Sequence, residues 1–365
     1  MTRIPGRMIA VLLKGHGGFE QLEYVEDVPV PDPGPGEVLV RVGAAAVNNT
    51  DINTRVGWYS RGVSEGTTAT DGAAGLGHAE AEDASWLGTA LVFPRIQGID
   101  VCGRIVALGK GVDAHRLGER VLIEPCFRRP DGRAGLQAVF LGSECDGGFA
   151  QYVRAPAVHA YRIESPLSDA QLASFPCSYS TAENMLTRAQ LESGETVLVT
   201  GASGGVGSAA VQLARRRGAR VIAVAAAAKT EEVRQLGADE VVARDADPGD
   251  VVSEDAVDVV VDLVGGARWP RLLELLRRGG RYAVSGAIAG PIVELDLRVL
   301  YLKDLRLFGC TVLEPDVFGN LVGYIERGEI RPVVAKTYPL AEIVAAQKTF
   351  LEKRFTGKIV LLPPG

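Results

Sequence analysis

The stretch Thr196-Val-Leu-Val-Thr200, Gly201-Ala-Ser-Gly-Gly-Val-Gly207, Ser208-Ala-Ala-Val-Gln-Leu-Ala214 decides the fold of this chain. Its first five residues are apolar or β-branched without alternation, as in a strand covered on both faces. Ala202, Gly204 and Gly207 take the three positions of the G-x-G-x-x-G spacing, with alanine in place of the first glycine. Gly204 lets backbone approach a pyrophosphate and Gly207 lets the following helix pack closely on the strand. The peptide amides around Ser203, Gly205 and Val206 then sit at a helix N-terminus that faces the phosphates. A plain tight turn in an α/β domain shares the glycines. Strand, turn and amphipathic helix in this order point further, to a dinucleotide-binding site.

Around that stretch lie 365 residues, more than one hydrophobic core usually supports, so two domains are expected. With 47% hydrophobic and 23% charged residues the composition is that of a globular protein. The net charge of -6, with no cluster of lysine and arginine, argues against a nucleic-acid or anionic-membrane surface. No apolar run is long enough to span a bilayer, and the start Met-Thr-Arg-Ile-Pro-Gly-Arg lacks a secretory apolar core. The five cysteines (Cys102, Cys126, Cys145, Cys177, Cys310) are odd in number and scattered, which suits reduced thiols in a cytoplasmic protein.

The first half reads as irregular strands: 8–13 and 22–28 around Gly15-His-Gly-Gly18, then 37–42, 101–108 and 120–123, as in a partly open β-barrel. Residues 60–93, rich in glycine, alanine, threonine and acids with Trp86 as the one large anchor, are expected to be mobile surface covering part of a cleft. Near residue 166 the texture changes. Ser180-Thr-Ala-Glu183 has capping-box spacing and is expected to open a helix running to about Glu192. Strands 196–200, 220–225, 239–242, 257–263 and 281–285 then alternate with helices 205–217, 229–236 and 269–277, which implies a doubly wound parallel sheet. The expected division is a barrel-like domain of 1–165 and 312–365, interrupted by a nucleotide-binding domain of 166–311.

Pro33-Gly-Pro-Gly-Glu-Val-Leu-Val40, Val47-Asn-Asn-Thr-Asp51, Gly57-Trp-Tyr59, Pro94-Arg-Ile-Gln-Gly-Ile-Asp100, Gly147-Gly-Phe-Ala-Gln-Tyr-Val153, the glycine turn and Phe355-Thr-Gly-Lys-Ile-Val-Leu361 resemble the medium-chain dehydrogenase/reductase superfamily over nearly the whole chain. The chain is most similar to its zinc-independent quinone oxidoreductase and enoyl reductase branch. The resemblance implies a GroES-like catalytic barrel, a Rossmann cofactor domain and, as a family-level expectation, a homodimer formed along the apolar edge Leu297–Phe308. Zinc-dependent relatives hold their catalytic metal with two cysteines and a histidine; the matching positions here are Asn48, Ile99 and Cys177. Segment 125–146, matching the structural-zinc loop, has Cys126 and Cys145 but no C-x-x-C. No metal site is therefore expected. Cys177 is expected as a packed thiol beside the cleft, with a catalytic role as the alternative.

Cofactor choice is read about 20 residues past the turn, where a carboxylate would select NADH. Ala225 stands there, Lys229 and Arg244 follow, and by similarity both cations fall near an adenosine 2′-phosphate, so NADPH is expected. A solvated Lys229 at the start of its helix is the alternative. The resemblance also implies cofactor contacts for Asn48, Asp51, Thr181, Val264, Gly265, Ser285, Gly286, Ala287 and Lys358; an N-terminal helix cap is the competing role for Asp51.

Without a metal to polarise a carbonyl, hydride addition to a quinone, enone or enoyl thioester suits the site best, since hydrogen-bond donors can carry enolate charge. Candidate catalytic side chains are Asn48, Asn53 and Tyr59, with the proton coming from Tyr59 or from water. A zinc-free alcohol or carbonyl dehydrogenase and a non-catalytic NADPH-binding protein are the competing functions; the small-molecule substrate carries no readable code.

Overall fold

The computed structural model describes residues 4–128 and 137–365. Six parallel strands form one sheet in the spatial order Glu240–Ala243, Arg220–Ala225, Thr196–Val199, Val257–Asp262, Leu276–Val284, Arg306–Gly309. Strand order reverses between Thr196–Val199 and Val257–Asp262, and in such sheets the crevice at the carboxyl ends of these two strands is where ligands bind. Val197, Leu198 and Val199 are fully buried, as the unbroken apolar run requires.

The other half is a mostly antiparallel barrel sheet. The long strand Glu37–Val47 is its spine, pairing with Asp100–Leu108, Tyr152–Pro156 and the late strand Lys358–Leu362, which in turn pairs in parallel with Val334–Pro339. The C-terminal strand thus returns to the first half of the chain. Arg120–Ile123 and Ala160–Arg162 extend the other edge, and a smaller sheet joins Leu22–Pro29, Arg7–Leu13 and Arg95–Ile96. One continuous apolar core links the two halves through the helices Pro176–Arg188, Gly205–Arg216 and Val317–Glu326, with Phe175, Tyr179 and Phe318 buried in it.

Two local expectations are corrected. The helix expected to open at Ser180 runs instead over Pro176–Arg188. Proline at its first turn sacrifices no hydrogen bond and presets the helical φ, so initiation moves one turn upstream. Ser180 consequently bonds back to the Cys177 carbonyl and Glu183 pairs with Arg217, neither acting as a cap. Residues 60–93 are not mobile surface but an anchored cover. A short helix, Ala69–Ala74, is held by the fully buried Arg55, whose guanidinium donates to the carbonyls of Gly72 (2.6 Å) and Gly17 (2.9 Å). Trp58 Nε1 donates to the Glu65 carbonyl and Trp86 packs on Phe140 with ring centroids 4.4 Å apart. A Cβ on Gly66 would lie 2.3 Å from the Ile288 carbonyl, so this cover reaches the nucleotide-binding half.

Candidate active site

Gly201 leaves the first strand at φ +59°, a conformation that glycine adopts without cost. Gly204 then stands just before the helix Gly205–Arg216, with no foreign atom nearer than 3.4 Å to a built Cβ, whereas a Cβ on Gly207 would meet the Gly201 carbonyl at 2.2 Å. Ala202 is fully buried and its amide donates to the Val224 carbonyl (3.0 Å), holding the turn against the second strand. Across the turn runs the segment 353–358, where Gly357 donates to the Ser203 carbonyl (3.1 Å) and the neighbouring Thr356 hydroxyl is buried without a partner. An open glycine cradle at a helix N-terminus, beside an orphaned hydroxyl, fits the phosphates of a dinucleotide.

At the end of the second strand the Arg244 amide donates to the Ala225 carbonyl (2.7 Å) and the Arg244 guanidinium stays largely exposed. Lys229 stands at the N-cap position of the helix Thr230–Gln235, and its Nζ donates to the carbonyls of Lys353 (2.7 Å) and Phe355 (2.6 Å). Burial lowers its pKa, and the Arg244 charge acts in the same direction. The two cations flank one strand end.

At the reversal point Asp262 is fully buried and organises the loop after its strand. It accepts from Thr200 Oγ1 (2.6 Å), Tyr282 OH (2.6 Å) and the amides of Val264 and Gly265. Ser285 bonds the Cys310 carbonyl, the Ala289 amide donates to the Val264 carbonyl (2.8 Å) and a Cβ on Gly265 would lie 3.3 Å from Ala287 Cβ, so the segments 264–265 and 285–287 meet at one end of the sheet. A Cβ on Gly286 would lie 3.0 Å from the Leu263 carbonyl.

Facing the turn from the barrel is a buried polar cluster. The Lys358 ammonium is 2.8 Å from Asp100 Oδ2 and also donates to Asn48 Oδ1. Asn48 Nδ2 donates to Asp100 Oδ2 (2.8 Å) and to the Ala46 carbonyl (3.2 Å), which uses both of its amide protons. Asp100 Oδ1 accepts the Cys177 amide at 2.6 Å. Asp51 lies in the first turn of the helix Asn49–Val56 and accepts the amides of Asn48 (2.7 Å) and Gly98 (3.2 Å). Burial raises its pKa to about 7 despite those bonds. Cys177 is buried, its thiol pushed well above the usual range by desolvation and then by the Asp100 charge, and Thr181 follows it one helical turn on.

Tyr59 closes the outer side. Its hydroxyl donates to Thr50 Oγ1 (3.2 Å), and burial raises its pKa well above that of a free phenol. Asn53 Oδ1 accepts from Thr67 of the cover, leaving its amide protons as donors. Trp86 stands against Tyr59 at 6.0 Å between centroids, so the mouth is walled by neutral aromatic groups.

The donor set does not suit zinc. The Asn48 amide has both protons bonded within the protein and Ile99 has no ligand atom, so of the three matching positions only Cys177 offers a soft donor. Among the described residues no group of three or more His, Cys, Asp or Glu side chains is placed to hold a metal ion; part of segment 125–146, residues 129–136, lies outside them.

Sequence comparison agrees with this architecture. Residues 34–165 match the alcohol dehydrogenase GroES-like domain and residues 205–327 the zinc-binding dehydrogenase family. An acryloyl-coenzyme A reductase of Metallosphaera sedula is 32% identical over 97% of this chain and 99% of its own length. The quinone oxidoreductase of Homo sapiens is 29% identical over 97% and 98%. A solved candidate alcohol dehydrogenase from Sinorhizobium meliloti is 46% identical, superimposes with a TM-score of 0.87, and is covered over 98% of its length by 99% of this chain. The chain belongs to the medium-chain dehydrogenase/reductase superfamily of oxidoreductases.

Asp100 and Asp262 escaped the sequence reading. Each is a carboxylate at one end of a strand and next to a run of small or apolar residues, Val101-Cys-Gly103 or Val259-Val-Val261, and a charge beside such a buried run is the signal that could have found them.

Proposed function

We propose that this protein is a metal-free, NADPH-dependent reductase of conjugated double bonds or quinones, with 1–165 and 312–365 as catalytic domain and 166–311 as cofactor domain. The observation that carries this reading is the donor set around residues 48, 99 and 177, where a lysine–aspartate pair stands and Ile99 offers no ligand atom. An alkoxide formed from an aldehyde would lack a strong stabiliser there, whereas an enolate or hydroquinone anion delocalises its charge. The kinship with acryloyl-coenzyme A reductase and quinone oxidoreductase supports the same chemistry.

A reduced nicotinamide cofactor supplies the hydride. Ala202 to Gly207 and Lys358 would hold its phosphates and ribose, Val264, Gly265 and Ser285 to Ala287 its nicotinamide end, and Lys229 and Arg244 its 2′-phosphate. Tyr59 keeps a proton at its hydroxyl at the substrate mouth, and Asn53 offers amide donors. The helix Leu297–Leu302 and the edge strand Arg306–Gly309 expose Leu297, Tyr301 and Leu302, which supports a homodimer along this edge.

The test is to follow reduced-cofactor absorbance with purified protein, NADPH or NADH, and a panel of quinones, enones, enoyl thioesters and aldehydes. Consumption with the conjugated substrates but not with aldehydes is expected. Turnover of aldehydes alone, or cofactor binding without turnover of any substrate, would sink the proposal.

A further inference from the structure

Residues 60–93 carry a single tryptophan, Trp86. It is half-buried and packs against both the barrel core and the core that runs into the nucleotide-binding half. Its ring lies 4.4 Å from Phe140 and 6.0 Å from Tyr59 between centroids, with planes tilted by 56° and 42°. Trp58 meets Tyr59 edge-on at 5.5 Å. The ring of Tyr59 therefore stands among flat apolar faces, two of which come from outside its own turn. Such faces suit a flat conjugated ring, which they meet by offset or edge-on contact.

The same segment sets the charge of the mouth. It holds five carboxylates, on Glu65, Asp71, Glu80, Glu82 and Asp83, against the single arginine Arg61 and no lysine. Two bonds draw part of this acidic stretch onto the turn after Tyr59. The Glu80 amide donates to Ser60 Oγ (3.0 Å), and Asp83 Oδ2 accepts the Arg61 amide (3.1 Å). The second bond holds the Asp83 carboxyl below the usual range, and Glu80 and Glu82 are exposed. Beside Glu65, Gly66 lies against the Ile288 carbonyl of the nucleotide-binding half. A site rejects a competitor by placing a like charge against it, and that repulsion reaches about 8 Å at physiological ionic strength.

We propose that the cover chooses the substrate. Trp86 is a specificity-determining residue that offers a flat aromatic face beside Tyr59, and the acidic stretch around it turns away phosphate-bearing carriers. The site accordingly takes a flat, uncharged quinone or aryl enone in preference to a coenzyme-A thioester. This rests on the reading that the cleft reduces conjugated substrates, and it selects among them.

The measurement is steady-state turnover at saturating NADPH with naphthoquinone and with the crotonyl thioesters of pantetheine and of coenzyme A. The two thioesters share the reacting group and differ in their phosphates. In the wild type, kcat/KM for the pantetheine thioester and for naphthoquinone is expected to exceed that for the coenzyme-A thioester by about ten-fold, with the gap shrinking as salt is raised. Replacing both exposed acids, Glu80→Gln with Glu82→Gln, should narrow the gap at low salt and leave naphthoquinone turnover unchanged. Trp86→Leu, which keeps apolar bulk without a flat ring, should raise KM for naphthoquinone by about ten-fold at unchanged NADPH affinity, and Trp86→Phe should recover most of that loss.

Equal turnover of the two thioesters by the wild type would overturn the proposal, as would an unchanged naphthoquinone KM in Trp86→Leu. Should Trp86→Leu not fold, the thioester pair with wild-type protein decides. A wild type that consumes NADPH with none of the three probes would bring down the reductase reading itself, a result distinct from turnover without preference.

Discussion

Lys229 Nζ lies 2.6 Å from the carbonyl oxygen of Phe355, so a residue just past the second strand of the nucleotide fold is bonded to the segment that crosses the glycine turn. Its two partners are neutral carbonyls, so one of them could give way to a phosphate oxygen. Lys229→Ala is therefore expected to weaken NADPH binding by about 1–2 kcal/mol while NADH is little changed. Parallel titrations of both cofactors check this, and an equal loss for the two would assign the effect to the interdomain bond instead.

The glycines of the turn differ in what they tolerate. Gly207→Ala forces a Cβ to within 2.2 Å of the Gly201 carbonyl, and backbone must move. A loss of about 1–3 kcal/mol in folding stability is expected from denaturant melts. Gly204→Ala meets nothing closer than 3.4 Å, so it should melt as the wild type does while binding the dinucleotide more weakly, because under the proposed cofactor placement its methyl group would stand where the phosphates approach.

Tyr59 tests the source of the proton. Its raised pKa keeps the phenol protonated across the ordinary assay range. If the phenol is the acid, Tyr59→Phe lowers kcat with an enone by about 10²-fold with little change in cofactor affinity. A kcat within a few-fold of wild type in single-turnover assays would hand that role to water.

Asp51 gives a pH signature in stability. Burial raises its folded pKa to about 7 from the ordinary 3.8, so the folded state holds its proton where the unfolded chain has released it. Its contribution to stability is intact below about pH 4, declines as pH rises from there to about 7, and is level beyond. Asp51→Asn should remove that decline. It should also cost about 1 kcal/mol, because an amide cannot accept from both the Asn48 and Gly98 N–H groups through its two atoms. Melting curves of both proteins from pH 4 to pH 8 are the check.

Activity should be indifferent to chelators, and elemental analysis of the purified protein should find no stoichiometric zinc. Loss of turnover on chelation that zinc alone restores would contradict the donor-set argument.

The sequence by itself determined the nucleotide fold and the general place of the site. The unbroken apolar run 196–200, the glycine spacing and the apolar face of the helix after it act through neighbours a few residues apart, and such contacts are readable in a linear string. It also shows Asn48 and Ile99 where zinc-dependent relatives carry metal ligands, a reading that depends on residue type alone.

Tertiary structure decided how the charges are used. Asn48 and Lys358 are bonded across a separation of 310 residues, and Asp100 comes between them only because the C-terminal strand returns to pair with Glu37–Val47. Proline at residue 176 outcompeted the capping-box spacing, and Arg55 and Trp86 turned a polar, glycine-rich insertion into an anchored cover through contacts with distant backbone and rings. A residue's type fixes which bonds it can make. Which of them it makes depends on what the fold brings within about 3 Å, and in a buried site every donor is assigned by that proximity.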